Sequence, residues 1–262
     1  MRDPMPQPSP APISKGRIWA EVLIVLGLSF GASAIYSIVA IINRMTRDIA
    51  LADQTATLNP TLDSREIFDL IYQVLGIAVD LVPVALVCWL LWNVASPHLG
   101  RLGIDLRRPW QDAGVGTLLA LIIGAGGLIV YLGGRALGIT VAVDPAGLES
   151  HWWTIPVLLL SAARAGISEE VIMVGYLWTR LSDLGWRTWP TILVSAAIRG
   201  TYHLYQGWGS FIGNVLMGIV FGWLYSRTGR LLPLVIAHFL IDAAVFVGYP
   251  VMAEVWPGLL GL

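Results

Sequence analysis

The sequence predicts an all-α fold, a polytopic membrane helix bundle of about seven to eight spans. Three observations carry this reading. Of the 262 residues, 56% are hydrophobic and 13% charged, with a mean hydropathy of +0.72, against roughly 25% charged in soluble domains. Several apolar runs approach the roughly 20 residues a span needs. The chain also holds 28 Gly and 12 Trp; Gly favours close packing of membrane helices and Trp concentrates at the headgroup level. The net charge of −1 lacks the basic footprint of nucleic-acid binding, so no nucleic-acid partner is expected. Cys88 is the single cysteine, which rules out an internal disulfide and leaves the redox compartment open.

Residues 1–17 are polar and Pro-rich (MRDPMPQPSPAPISKGR) and are expected to form a disordered cytoplasmic tail. The apolar run over 18–42 exceeds the apolar region of about 7–15 residues in a cleaved signal peptide, so it reads as a retained first span. Further spans are expected over 71–94, 114–137, 152–181, 191–205, 211–225 and 231–251. The fourth is long enough to bend, with Gly166 a place where its helix could break. The fifth and sixth are short and joined by the sequence GWGS. An eighth helix could lie in 59–68 or in the C-terminal tail, 254–262. The segment 98–114 reads as a charged connector or a short amphipathic interfacial element. No internal repeat suggests inverted transporter halves, so the chain reads as one domain.

Basic residues orient the set. With seven spans, Arg2, Lys15, Arg17, Arg101, Arg107, Arg108, Arg180, Arg187, Arg227 and Arg230 fall on one side. The opposite loop, 138–151, has no Lys or Arg and holds Asp144 and Glu149. The positive-inside rule then places a multi-pass protein in the cell membrane with its N-terminus in the cytoplasm. Arg44, Arg47 and Arg65 run against this, diluted by Asp48, Asp53, Asp63 and Glu66.

A charge at mid-bilayer costs on the order of 3 kcal/mol, so intramembrane ionisable residues face a cavity or one another. Asp80 could be one such residue and is given no role. The later helices concentrate the rest: Arg164, Glu169 and Glu170; Arg199 and His203; Asn214; His238 and Asp242. His238 and Asp242 are four apart and share a helix face, as do Arg199 and His203. Glu169 and Glu170 point about 100° apart on an ideal helix. One can therefore work in a site while the other is held by a partner. At about 1.5 Å per residue, Glu169, His203, His238 and Asp242 all come near mid-membrane. Carboxylate and imidazole together can bind a divalent metal, with zinc the usual choice. They can also polarise a water without one; either route gives hydrolysis. No HExxH is present. Each residue also has a purely structural reading. Glu169 and Glu170 could form an interhelical salt bridge, and His238 with Asp242 a packing hydrogen bond. Asn214 suggests an interhelical hydrogen bond, Gly218 and Gly222 close packing, Arg164 an interfacial or structural charge, and Tyr202 and Tyr205 lining or belt residues.

The order of these elements, adjacent glutamates on one helix, a histidine in the next, then His-x-x-x-Asp, resembles the CAAX-processing and bacteriocin-processing (CPBP, or ABI) family of intramembrane endopeptidases. The resemblance spans residues 152–248 and marks 18–150 as N-terminal spans and 151–253 as a catalytic helix core. It implies peptide-bond hydrolysis in or beside the bilayer, with a membrane protein or peptide as substrate. It implies Glu169 as the water-activating base, with Glu170, His203, His238 and Asp242 as further catalytic residues. Asp242 stands where the family usually has Asn. The family's description as metalloproteases implies a metal, zinc being the candidate, with His203 and His238 as ligands. Two departures stand out. Val174 occupies the Arg position of the family's Glu-Glu-x-x-x-Arg, and Arg199 occupies the Phe position four residues before His203. Arg199 is therefore expected to pair with Glu170 or Glu169 as a supporting residue. If it does not, Val174 marks a degenerate site, and the chain is a non-catalytic membrane scaffold or immunity-type binding protein. An ion- or proton-coupled transporter is the third class such buried charges would fit.

Overall fold

A computed structural model describes residues 13–92 and 98–251. It is all-α apart from one pair of three-residue strands. The termini beyond these bounds, including 254–262, lie outside the described residues. Ser14 caps helix α1 (Lys15–Gly27) by accepting from the Arg17 amide, so the expected tail boundary at residue 17 falls inside a helix.

The expected first span is two helices. α1 and α2 (Phe30–Met45) are bent by 53° across Leu28 and Ser29. The second span is a run from Glu66 to Leu90, formed by α3 (Glu66–Asp80) and α4 (Val82–Leu90), with Pro83 in the first turn of α4. The segment 98–114 divides into a four-residue helix, α5 (His98–Arg101), a loop, and the start of α6 (Pro109–Ala136). The fourth helix is unbroken from Thr154 to Asp183: α7 (Thr154–Glu169), a π-helical turn (Glu170–Tyr176) and α8 (Leu177–Asp183). Then follow α9 (Thr188–Tyr202), α10 (Trp208–Thr228) and α11 (Leu232–Ala243), the last extended by a π turn to Gly248.

Among the described residues four helices are long and apolar enough to cross a membrane, or five if the bent α1–α2 pair counts as one. The expected seven to eight is not reached. The physical reason lies in the two helices that fall outside: Thr154–Asp183 carries Arg164, Glu169, Glu170 and Arg180, and α9 has 15 residues and contains Arg199. These are the helices that build the polar centre.

Small residues set how closely the helices approach. Gly166 does not break its helix. A Cβ there would lie 3.1 Å from both the Phe239 amide nitrogen and the Val235 carbonyl oxygen, so glycine lets α7 rest on the backbone of α11. Gly218 and Gly222 do the same between α10 and α9: a Cβ on Gly218 would meet the Ala196 Cα at 2.9 Å. Asn214 bonds within its own helix, donating to the Ser210 carbonyl, and so does not bridge helices as expected.

Polar clasps hold both ends of the bundle. Arg180, read from sequence as a boundary charge, is buried; its Nη2 lies 2.6 Å from Glu21 Oε2 and donates to the Leu90 carbonyl. Arg230 binds Asp105 and Asp112, fastening the loop before α6 to the turn between α10 and α11. At the opposite end, β1 (Thr55–Thr57) pairs in parallel with β2 (Ala142–Asp144), Thr55 opposite Ala142. The Val141 amide donates to the Gln206 carbonyl and the Trp208 amide to that of Ile139. These bonds tie the loop to the turn that follows His203.

Candidate active site

The structure brings all six expected residues into one cluster. Glu169 ends α7 and Glu170 opens the π turn, so the adjacent carboxylates leave the helix in different directions where its hydrogen-bond register changes. Such π turns recur at functional sites. Gly166, one turn earlier, keeps α11 close enough for His238 to reach Glu170.

Glu170 is the held member of the pair. Its Oε1 accepts from Arg199 Nη2 at 2.6 Å and lies 2.7 Å from His238 Nδ1. The Glu170 and Arg199 side chains are both 0% exposed. Arg199 fits because Gly218 has no side chain; a Cβ there would stand 3.3 Å from Arg199 Cδ. A buried carboxylate without a partner would carry the full desolvation cost of its charge. The guanidinium that the family pattern places one turn after Glu170 is thus supplied from α9, and Val174 packs in the apolar core. Glu170, rather than Asp242, fixes the His238 ring. The shorter contact sets the ring's orientation, and Asp242 Oδ2 stands 3.5 Å from His238 Nε2.

Glu169 is the free member. Its side chain retains 10% exposure, and its Oε2 is a focus for four groups. The Tyr202 hydroxyl donates to it at 2.6 Å. Arg199 Nη1 lies at 3.5 Å, His203 Nε2 at 3.9 Å and His238 Nε2 at 4.0 Å. His203 follows the last residue of α9, so it sits at a helix end rather than deep in a span. Its two ring nitrogens are buried and have no protein hydrogen-bond partner. Tyr202, expected as a lining or belt residue, reaches the cluster because it lies three residues after Arg199 and so shares its helix face. Arg164, as expected, is a structural charge; it pairs with Asp80 at 3.2 Å, which also gives Asp80 its partner.

Residues 151–244 match the family model described as Rce1-like, type II CAAX prenyl endopeptidase Rce1-like. Residues 151–244 form an Rce1-like segment. The match agrees with the resemblance carried by the glutamate and histidine motifs, and Glu169 through Asp242 all lie inside the Rce1-like segment. No curated protein and no solved structure gives a significant match. The apolar helices and the Rce1-like segment together fit a multi-pass membrane protein.

The spacing between Glu169 and the two imidazoles is wider than that of donors sharing one tetrahedral zinc. Donors around a tetrahedral zinc stand roughly 3.3–3.5 Å apart, given bonds of about 2.0–2.1 Å. Here the two imidazole nitrogens are 3.9 and 4.0 Å from Glu169 Oε2, which already accepts from Tyr202 and faces a guanidinium. Among the described residues no group of three or more His, Cys, Asp or Glu side chains is placed to hold a metal ion.

Proposed function

We propose that the chain is an intramembrane endopeptidase that hydrolyses a peptide bond in or beside the bilayer, with Glu169 activating the water. The supporting observation is the division of labour between adjacent carboxylates. Glu170 is enclosed and tied to Arg199 and His238, whereas Glu169 keeps an open edge facing two imidazole nitrogens at 3.9 and 4.0 Å. Those separations suit one water bonded to both sides at about 2.8 Å each.

In this reading Glu169 takes a proton as the water oxygen bonds to the peptide carbonyl carbon. An N–H of His203 or His238 faces the oxygen that becomes negative. Glu169 then returns the proton to the amine as the C–N bond breaks, leaving a carboxylic acid and an amine. Glu170 holds His238, Asp242 stands beside its other ring nitrogen, and Arg199 balances the two glutamates. No step passes through a metal. The N-terminus faces the cytoplasm in this proposal, as the distribution of basic residues favours.

The scaffold alternative rested on Val174 as the mark of a broken site. The ion pair from Arg199 to Glu170 at 2.6 Å supplies the charge that Val174 lacks and favours the enzyme. The test compares wild type with Glu169→Ala and His203→Ala in proteoliposomes carrying membrane peptides, with products read by mass spectrometry. Quenched peptides ending in a farnesylated Cys-a-a-X sequence, and unprenylated versions, serve as probes. Wild-type-only cleavage is the expected result. Identical profiles for all three proteins sink the proposal.

A further inference from the structure

Tyr202 lies inside the catalytic cluster, yet it is neither a glutamate nor a histidine and no motif names it. Its hydroxyl donates to Glu169 Oε2 at 2.6 Å, and the residue is 5% exposed. A phenol has one proton to donate, and here it goes to the carboxylate assigned to water activation. The contact is the shortest that Glu169 makes.

Two residues far away in sequence hold Tyr202 in place. The Phe30 ring lies against the tyrosine ring, centroids 4.8 Å apart and planes inclined by 30°. The Ser37 hydroxyl donates to the Tyr202 carbonyl at 2.7 Å. Phe30 begins α2, directly after the 53° bend that separates it from α1. A straight helix over 18–42 would carry these two residues along another line. Both lie outside the Rce1-like segment. The bend, the ring contact and the phenol therefore form one continuous support from the N-terminal helices to Glu169.

The geometry points to Tyr202 as the positioning residue for Glu169, clamped by Phe30 and Ser37 so that Oε2 is fixed where the two imidazole nitrogens face it across room for a water. This rests on the peptidase reading for its catalytic consequence, but the contact stands apart from it. A carboxylate on a flexible side chain has several rotamers of similar energy. A hydrogen bond from a ring that is itself packed selects one of them, which is how supporting residues pre-organise a reacting group.

The test uses full-length protein in lipid nanodiscs with carboxyl-labelled glutamate. The infrared carboxyl band of Glu169 is identified by its loss in Glu169→Gln. Tyr202→Phe removes the donor and keeps the ring. It is expected to move that band and to lower turnover of the quenched peptides by on the order of 10- to 100-fold, with KM changed less than about twofold. Replacing Tyr202 with p-aminophenylalanine, which keeps a donor at the same end of the ring, restores both. A band indifferent to Tyr202→Phe overturns the contact, and a moved band with unchanged turnover overturns the positioning role. If wild type cuts none of the peptides, the peptidase reading fails, and the band still decides whether Tyr202 holds Glu169. Should Tyr202→Phe not fold, Phe30→Leu is read by the same band; a shift or broadening supports the clamp and an unaltered band ends it.

Discussion

Arg199 donates through Nη2 to Glu170 Oε1 at 2.6 Å, and neither side chain has any exposed surface. The bond crosses from α9 to the π turn after α7. It places a permanent positive charge between two carboxylates, because Nη1 of the same guanidinium lies 3.5 Å from Glu169 Oε2. One cation thus serves both glutamates, and the site depends on it for its charge balance.

Removing that cation is expected to unfold the site before it alters chemistry. Arg199→Phe introduces the residue that the resembled pattern has at this position but strands a buried carboxylate, a change that costs roughly 3–5 kcal/mol. Thermal unfolding in detergent measures it. Adding Val174→Arg returns a guanidinium one turn after Glu170 and is expected to recover part of the loss. If the double variant is no more stable and cuts no better than Arg199→Phe alone, the charge has not been relocated.

The two glutamates are expected to fail differently. Glu169→Gln removes the base and is expected to lower turnover by at least about 100-fold with little change in unfolding temperature, because its side chain keeps an open edge. Glu170→Gln breaks a pair in which Arg199 is the fully buried partner, and is expected to lower the unfolding temperature markedly. Comparing turnover and melting for both variants checks the assignment. Equal melting temperatures would mean that Glu170 is not the structural member.

The residues of the site were legible because each is costly in lipid. Glu169, Glu170, Arg199, His203, His238 and Asp242 stand out against apolar neighbours, and the i, i+4 spacing of His238 and Asp242 put them on one face. Which partner each takes was not legible. Asp242 was the sequence neighbour of His238, but Glu170 arrives from another helix and binds it more closely, and only tertiary packing decides between them. Tyr202 reads as a lining or belt residue, and its bond to Glu169 was not legible because that carboxylate arrives from another helix. The bend between α1 and α2 escaped notice because Leu28 and Ser29 do not interrupt the apolar run. The count of spans differed for a related reason: the charges that make 154–183 a site also lower its hydropathy.

The contact between α9 and α10 is expected to tolerate no side chain at Gly218. A Cβ there would stand 2.9 Å from the Ala196 Cα and 3.3 Å from Arg199 Cδ. Gly218→Val must move the α9 backbone or the arginine, and overpacking of this kind costs roughly 1–3 kcal/mol. Because Arg199 lies on the α9 backbone that must shift, loss of peptide cleavage is expected to exceed the loss of stability. Retained cleavage with lowered melting would locate the strain elsewhere.

Metal removal is expected to leave the fold and the cleavage activity in place. The imidazole nitrogens of His203 and His238 stand 3.9 and 4.0 Å from Glu169 Oε2, wider than the spacing of donors on one tetrahedral zinc. Elemental analysis of purified wild type and His238→Ala, each dialysed against a strong chelator, is the measurement. Less than one metal per chain in both, with wild-type cleavage unimpaired, is the expected outcome. Stoichiometric zinc that disappears with His238 would restore the metal route.

Outside the membrane, Arg230 makes the protein sensitive to acid. Its hydrogen bond to Asp105 holds that carboxyl below the usual Asp range, helped by the Arg107 backbone amide. The Arg230 guanidinium is itself pushed up, chiefly by its hydrogen bonds to Asp112 and Asp105, and stays charged throughout. A carboxyl whose folded value is depressed binds fewer protons folded than unfolded, so its contribution is complete above the ordinary Asp value of about 3.9. It is lost as pH falls from there through the lower folded value. Wild type should therefore lose unfolding temperature on acidification from about pH 5 to pH 3. Arg230→Gln should start lower and show a shallower slope over that interval, because Asp105 then titrates closer to its unfolded value. The clasp joins the loop before α6 to the turn before α11, whose His238 reaches the site, so the variant also tests whether a distant, largely buried ion pair steadies that helix. Parallel slopes for the two proteins would show that Asp105 does not carry the acid response.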